Sequence, residues 1–256
     1  MLILLPPSEG KAEPRRGKPL DLGTGTLADA RRPVLEALVT LCRGSEDAAV
    51  RTLGLGPGQL ADVRRNARLP ELPTAAAERI YTGVLFEALG LTTLDASAHR
   101  RALSRVAIVS SLYGVVRPGE RITPYRLAGG VTLPGLGGVA AHWRSRLDPV
   151  VRELAGHGLV VDLRSSTYAA FWRPAPDLAR RVVSVRVLHE VNGRRQVVSH
   201  FNKATKGRLV RAVLEDGRDP RTPTSFAALL TDLGWTVEAG AATASGTQLD
   251  VVVGEV

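Results

Sequence analysis

MLILLPPSEGK, residues 1–11, opens on an apolar run, Leu2–Leu5, that stops at two prolines and a Ser-Glu-Gly-Lys segment. The run is short and does not alternate polar with apolar residues, which marks a strand buried on both faces rather than one lying at a surface. Two later stretches read the same way, Arg105–Ser110 and Leu159–Leu163. Val182–Val191 does alternate and is followed by Asn192-Gly193, the favoured pair for a type I′ hairpin, so Gln196–Phe201 is expected to return as its partner strand. Trp235–Ala239 and Gln248–Val253 form a second expected hairpin. Helical spacing runs over Thr26–Arg43, Ser45–Leu53, Gly58–Arg68, Thr92–Leu103, Val139–Ala155, Thr205–Glu215 and Pro223–Gly234. Strands and helices mix without a regular βαβ alternation, which predicts a single α/β (mixed α+β) domain over 1–256, a mixed sheet surrounded by helices.

The chain has 256 residues, 44% of them hydrophobic. A chain this long buries roughly 70–75% of its unfolded surface, so it needs no metal or disulfide to fold. A single cysteine, Cys42, excludes an internal disulfide framework and a zinc–thiolate site built by this chain alone. No apolar run approaches the roughly 18 residues of a membrane span. A soluble cytoplasmic protein is expected, with no membrane partner and no cofactor or metal; the histidines His99, His142, His157, His189 and His200 show no ligand spacing.

The formal net charge is +9, and the excess is unevenly placed. Residues 173–221 hold 12 basic and 5 acidic side chains, whereas 222–256 hold no basic residue and 4 acids. Such a field favours an anionic partner. The plainer reading is compositional, because 30 arginines against 4 lysines follow from a GC-rich coding sequence. Eleven aromatics is few for stacking single-stranded bases, so backbone contacts to duplex DNA are the better match to this charge.

Five segments could carry chemistry. Ser8-Glu9-Gly10-Lys11 follows the first strand, where open α/β sheets place ligands; Glu9 could act as a base and Lys11 as an anion anchor. It lacks the spacing of a phosphate-binding Walker loop. SSLYGVVRP (110–118) and TPYRL (123–127) deliver Tyr113, Arg117, Tyr125 and Arg126, two guanidiniums able to clamp a phosphate with tyrosine hydroxyls beside them. DLRSSTY (162–168) offers Asp162, Ser165, Ser166 and Tyr168, and reads equally as a helix N-cap. HFNKATKGR (200–208) brings Lys203, Lys206 and Arg208 to a helix start. The run LGLGPG (53–58), with Gly54, Gly56 and Gly58 between two helices and Arg64 and Arg65 on the second, has the pattern of a helix-hairpin-helix; LPGLGG (133–138) fits the pattern more loosely. His142-Trp143 opens a further amphipathic helix, with Trp143 expected in the core.

Taken together, MLILLPPSEGK, Tyr81-Thr82-Gly83, SLYGVVRP (111–118), PYRL (124–127), His142-Trp143, DLRSSTY and KATKG (203–207) resemble the YaaA family, the peroxide stress proteins, over essentially the whole chain. The resemblance implies a single-domain α/β fold peculiar to the family, a cytosolic location and a role in the response to hydrogen peroxide. It also implies duplex DNA binding through a basic cleft and a helix-hairpin-helix, and a link to limiting iron-dependent damage. The chain departs from the family in two places: LPPSEGK stands where relatives often carry I-S-P-A-K-T, and DLRSSTY stands for N-L-A-S-x-E-Y, with Thr167 in place of the glutamate. The alternative from another class is an enzyme acting on a nucleotide, nucleoside or other small anion in a Lys/Arg/Tyr/Ser pocket at the strand ends. Oligomeric state stays open.

Overall fold

The computed structural model describes residues 1–23, 26–191, 194–196 and 199–254. Its centre is an eight-stranded sheet: β1 (Leu2–Leu5), β2 (Val106–Ser110), β3 (Gly114–Val116), β4 (Val160–Asp162), β5 (Val182–Val191), β6 (Arg194–Gln196), β7 (Thr236–Thr243) and β8 (Gly246–Val253). The spatial order is β7-β8-β5-β4-β1-β2-β3, with β6 paired to β5. The inner pairings β8–β5, β5–β4, β4–β1 and β1–β2 are parallel, and β3, β6 and β7 run antiparallel to their neighbours. All four residues of β1 and all five of β2 are buried, as their unalternated apolar sequences require of strands covered on both faces.

The layers around the sheet include α1 (Thr26–Arg43), α2 (Glu46–Leu53), α3 (Leu60–Ala67), α4 (Val84–Leu89), α5 (Ala96–Arg105), α6 (Val139–Arg144), α7 (Leu147–Ala155), α8 (Ser199–Asp216) and α9 (Pro223–Asp232). Local chemistry sets their ends. Ser45 caps α2, the Asp95 carboxylate accepts from the Ser97 and Ala98 amides at the start of α5, and Thr222 and Ser225 form a capping box around Pro223 at α9. Among the described residues, no helix is long and apolar enough to cross a membrane.

Three expectations are corrected. Where a return strand is expected over Gln196–Phe201, the described residues pair from Arg194 to Gln196, and Ser199 begins α8, so Phe201 is helical. The hairpin stands on the Val191–Arg194 pair, while its Asn192-Gly193 turn lies outside the described residues. Val139–Ala155 is two helices, broken at Ser145-Arg146, where the Arg146 amide donates to Trp143 O. LPGLGG is a small antiparallel pairing, Thr132–Leu133 with Gly137–Gly138, with Gly135 and Gly137 at positive φ, and not a turn between helices.

Trp143 is fully buried and donates from Nε1 to Ser111 O at 2.7 Å. It leaves no room at the turn between β2 and β3. Gly114 sits at φ +73, and a Cβ there would come within 2.6 Å of the Trp143 ring. Gly114→Ala therefore combines backbone strain with overpacking and should destabilise the protein by about 1–3 kcal/mol, read as a lowered midpoint in urea.

Candidate functional site

Because β1, β2 and β4 are parallel neighbours, their carboxyl ends lie side by side, and the segments that follow them, 6–12, 111–113 and 163–168, meet there. The strand order also reverses at β1: the chain moves out to β2 and β3 on one side and to β4, β5 and β8 on the other. Open α/β sheets hold ligands at such a point.

All four tyrosines of the sequence gather at this place. The Tyr125 hydroxyl is hydrogen-bonded to Ser110 Oγ at 2.7 Å and to the Tyr81 hydroxyl at 3.2 Å. Tyr113 packs edge-on against Tyr125 and bonds Thr123 Oγ1 at 2.7 Å. The Tyr168 hydroxyl bonds Ser111 Oγ at 3.1 Å. Burial pushes the pKa of each of these phenols up, so they stay protonated donors.

Lys11 stands at the centre. Its Nζ lies 4.2 Å from the Tyr125 ring centroid and 5.5 Å from that of Tyr81, and donates to Ser8 O at 2.7 Å. A bridge between Lys11 and Tyr81, with the Thr82 amide donating to Gly10 O, holds the loop against the segment that carries Tyr81. The Glu9 carboxylate goes instead to Arg126, at 3.0 Å. Desolvation, with the Arg126 guanidinium nearby, lowers the Lys11 pKa to about 7 against the partial opposition of Glu9 and Asp62. Asn66, fully buried on α3, exchanges two hydrogen bonds with the backbone of Arg126 and fixes that arginine's segment beside α3. Arg65 on the same helix pairs with Asp62 and Glu13.

The DLRSSTY segment is folded back by one buried ion pair. Arg164, with a side chain only 1% exposed, binds both oxygens of Asp162 and donates to Tyr168 O and Trp172 O. Ser165 and Ser166 are exposed and open the single-turn helix Ser166–Ala169. Lys206 turns inward and donates to Leu163 O at 3.0 Å, with its pKa lowered by burial. Gly207 lets α8 press on α4, since a Cβ there would fall 2.3 Å from Leu85 O. Lys203, about 60° from Lys206 around the helix, faces the same flank, whereas exposed Arg208 lies about 200° away from it.

The structure thus brings together Ser8, Glu9, Lys11, Tyr113, Tyr125, Arg126, Asp162, Tyr168 and Lys206. It separates others. Arg117 lies at the opposite end of β2, donating to Ser104 O and Val106 O, so it forms no clamp with Arg126. His142 donates from Nε2 to Ala30 O, 2.8 Å away, and packs edge-on with Trp143, outside the cluster. Arg64 is exposed and pairs with Glu46. In the 54–58 turn, the Gly54 and Leu55 amides cap the end of α2 and the Gly56 amide donates to Gln59 Oε1, so these three donors are already engaged. Tyr81, Ser110 and Ser111 were not singled out as site residues by sequence reasoning. The signal for the two serines was their position at the end of a buried strand.

The basic segment is also largely answered within the molecule. Asp250 pairs with Arg186, Glu238 with Arg195 and Asp232 with Arg218, so three of the four C-terminal acids neutralise arginines of 173–221. Among the described residues, no group of three or more His, Cys, Asp and Glu side chains is placed to share a metal ion.

Two outcomes follow. The native Lys11 pKa lies below its unfolded value, so between about pH 7 and the usual lysine range the unfolded state binds more protons, and stability attributable to Lys11 rises with pH across that window. Lys11→Met should therefore raise Tm by about 2–4 °C at pH 6, with the gain shrinking towards pH 10, in melts run across that range. Cys42 is 5% exposed, and burial pushes its thiol pKa up to about 11, so alkylation by iodoacetamide at pH 8 should be slow until denaturant is added.

Comparison with known proteins places this geometry in a family. The family model described as "Peroxide stress protein YaaA" matches residues 1–239. A UPF0246 protein of Streptomyces coelicolor is 49% identical over the full length of both chains. A UPF0246 protein of Corynebacterium efficiens is 39% identical over 93% of this chain and 95% of its own. One from Cereibacter sphaeroides is 33% identical over 84% of this chain and 86% of its own. The chain belongs to the YaaA family of peroxide stress proteins.

Proposed function

We propose that this chain acts in the cytoplasm in the response to peroxide, binding duplex DNA non-specifically through a basic cleft and helping to limit iron-dependent oxidative damage to it. Membership of a peroxide stress family supports the physiological role. The observation that carries the DNA reading is a group of basic side chains at one sheet edge: Arg65 and Arg126 lie beside Lys11, and Lys203 stands on α8 on the flank from which Lys206 reaches Leu163 O. Lys203 has no ion-pair partner among the described residues, and the chain keeps an excess of +9 to attract phosphates. The Arg126–Glu9 pair, whose carboxylate member is exposed, is a weak obstacle, because such pairs contribute about 0–1 kcal/mol and a phosphate can replace the carboxylate.

A second reading, an enzyme acting on a nucleotide, nucleoside or other small anion, is favoured by a specific feature. The tyrosine and serine hydroxyls beside Lys11 are buried and linked in relays. Phosphates of a duplex need surface donors, whereas protonated phenols around a desolvated amine suit chemistry on a small bound molecule.

Anisotropy of a labelled duplex, titrated from low to physiological salt, tests the first reading. Binding should weaken with a log–log slope of about −0.9 for each neutralised phosphate, and Lys203→Glu/Arg126→Gln should weaken it and flatten that slope by about two contacts. Flat anisotropy at low salt, accompanied by a nucleotide-induced rise in Tm, would favour the second.

A further inference from the structure

We propose that Lys11 is the nucleophile of a carbonyl-binding site, forming an imine with an aldehyde or ketone whose anionic group is held by Arg126. The proposal rests on the small-anion reading of this site and gives it a substrate class.

The geometry around Nζ is that of a reactive amine rather than a structural ion pair. Its polar contacts are carbonyl oxygens, Ser8 O at 2.7 Å and Glu9 O at 3.5 Å, and no carboxylate lies within ion-pair distance among the described residues. The carboxylate that its own loop supplies, Glu9, is taken by Arg126. Tyr125 and Tyr81 wall the amine on two sides, yet Lys11 is not sealed and a small molecule can reach it. Six ionisable groups face the amine: Glu9 on its own loop, Arg126, Asp62 and Arg65 on α3, and the phenols of Tyr81 and Tyr125. Desolvation and Arg126 outweigh the acids among them, so a large share of the amine is uncharged near neutral pH.

Glu9 marks where the ligand's charge would sit. Its side chain is 73% exposed and its partner Arg126 only 19%, so the carboxylate lies towards solvent and the guanidinium within the protein. An incoming carboxylate or phosphate can replace Glu9 on Arg126 and leave its carbonyl beside Lys11. The neutral amine adds to the carbonyl carbon to give a carbinolamine. Both N–H hydrogens then depart with the carbonyl oxygen as one water as the C=N bond forms, and no oxidant or reductant is consumed. Tyr168, bonded to Ser111 and facing Glu9 and Arg126, is the phenol placed to lend the proton that the leaving oxygen needs.

The test is reductive trapping with cyanoborohydride at pH 7, using glyoxylate against acetaldehyde and glycolaldehyde phosphate against glycolaldehyde, with tryptic mapping. Only four lysines are present, so Lys18, Lys203 and Lys206 are internal references. Lys11 should be labelled about tenfold or more faster than Lys18, and the anionic aldehydes should outpace the neutral ones at Lys11 alone. A preference for glyoxylate identifies a carboxylate as the anionic group, and a preference for the phosphate ester identifies a phosphate. Arg126→Gln should erase the preference. Glu9→Gln, which alters only an exposed side chain, should speed the anionic aldehydes by removing their competitor. Labelling of Lys11 no faster than Lys18, or equal rates for charged and neutral aldehydes in both the native protein and Glu9→Gln, would overturn the proposal. A rise in Tm with the anionic aldehydes but no Lys11 adduct also overturns it, while leaving the small-anion site standing; neither a shift nor an adduct removes both.

Discussion

Everything functional in this molecule hangs on β1 being held between two parallel partners. Leu2–Leu5 pairs with β2 through Ile3–Val106 to Leu5–Ile108 and with β4 through Leu2–Val160 to Leu4–Asp162. Parallel pairing demands cover on both faces, which the four apolar side chains meet, and it forces three carboxyl ends to one edge. Backbone hydrogen bonding to a parallel neighbour on each side fixes the register of this strand. The positions of Lys11, Ser110, Ser111 and Asp162 are consequences of that register.

Arginine and lysine divide the work of the fold. Arg31 donates to Tyr113 O and Val115 O, Arg101 to Leu214 O, Arg105 to Gly217 O and Arg218 O, and Arg164 to Tyr168 O and Trp172 O. A planar fork with five donors can tie two carbonyls of a loop at once, which a lysine ammonium cannot do with the same geometry. Much of the basic composition is therefore cross-bracing, and much of the rest is ion-paired with acids distant in sequence. Net charge overstates the anion-binding surface. By contrast, the lysine at the tyrosine cluster is an amine whose charge the surroundings suppress, a role no arginine can fill.

The fold was legible where one element decides its own state. Leu2–Leu5, the Thr26–Arg43 helix and the β5 alternation needed only local pattern, and each matches its element. Reading failed where a neighbour decides. Gln196–Phe201 has strand-like composition, yet α8 claims its last residues by packing across α4 at Gly207. The Gly-rich runs look alike in sequence, but 53–58 joins two helices and 133–138 makes a two-residue ladder. Arg117 and Arg126 are nine residues apart and end at opposite edges of β2, because β3 runs back along that strand before the chain turns towards α3. Tyr81 reaches the site from a segment with no periodic signal, through a single bridge to Lys11.

The departure at DLRSSTY shows how the site divides its chemistry. The resemblance to the family implies a glutamate before the tyrosine; here Thr167 stands there, exposed, with its methyl 3.0 Å from where a Gly129 Cβ would stand. That position thus supplies no carboxylate. Asp162 cannot replace it, because both of its oxygens are held by Arg164. Among the described residues, Glu9 is a carboxylate beside the tyrosines, and it rests on Arg126. On the carbonyl-binding proposal, proton transfer at this edge falls to the phenols and to the share of the Lys11 amine that is uncharged near pH 7. A charged ligand entering on Arg126 would displace Glu9 towards solvent and leave those neutral groups as the site's acid and base.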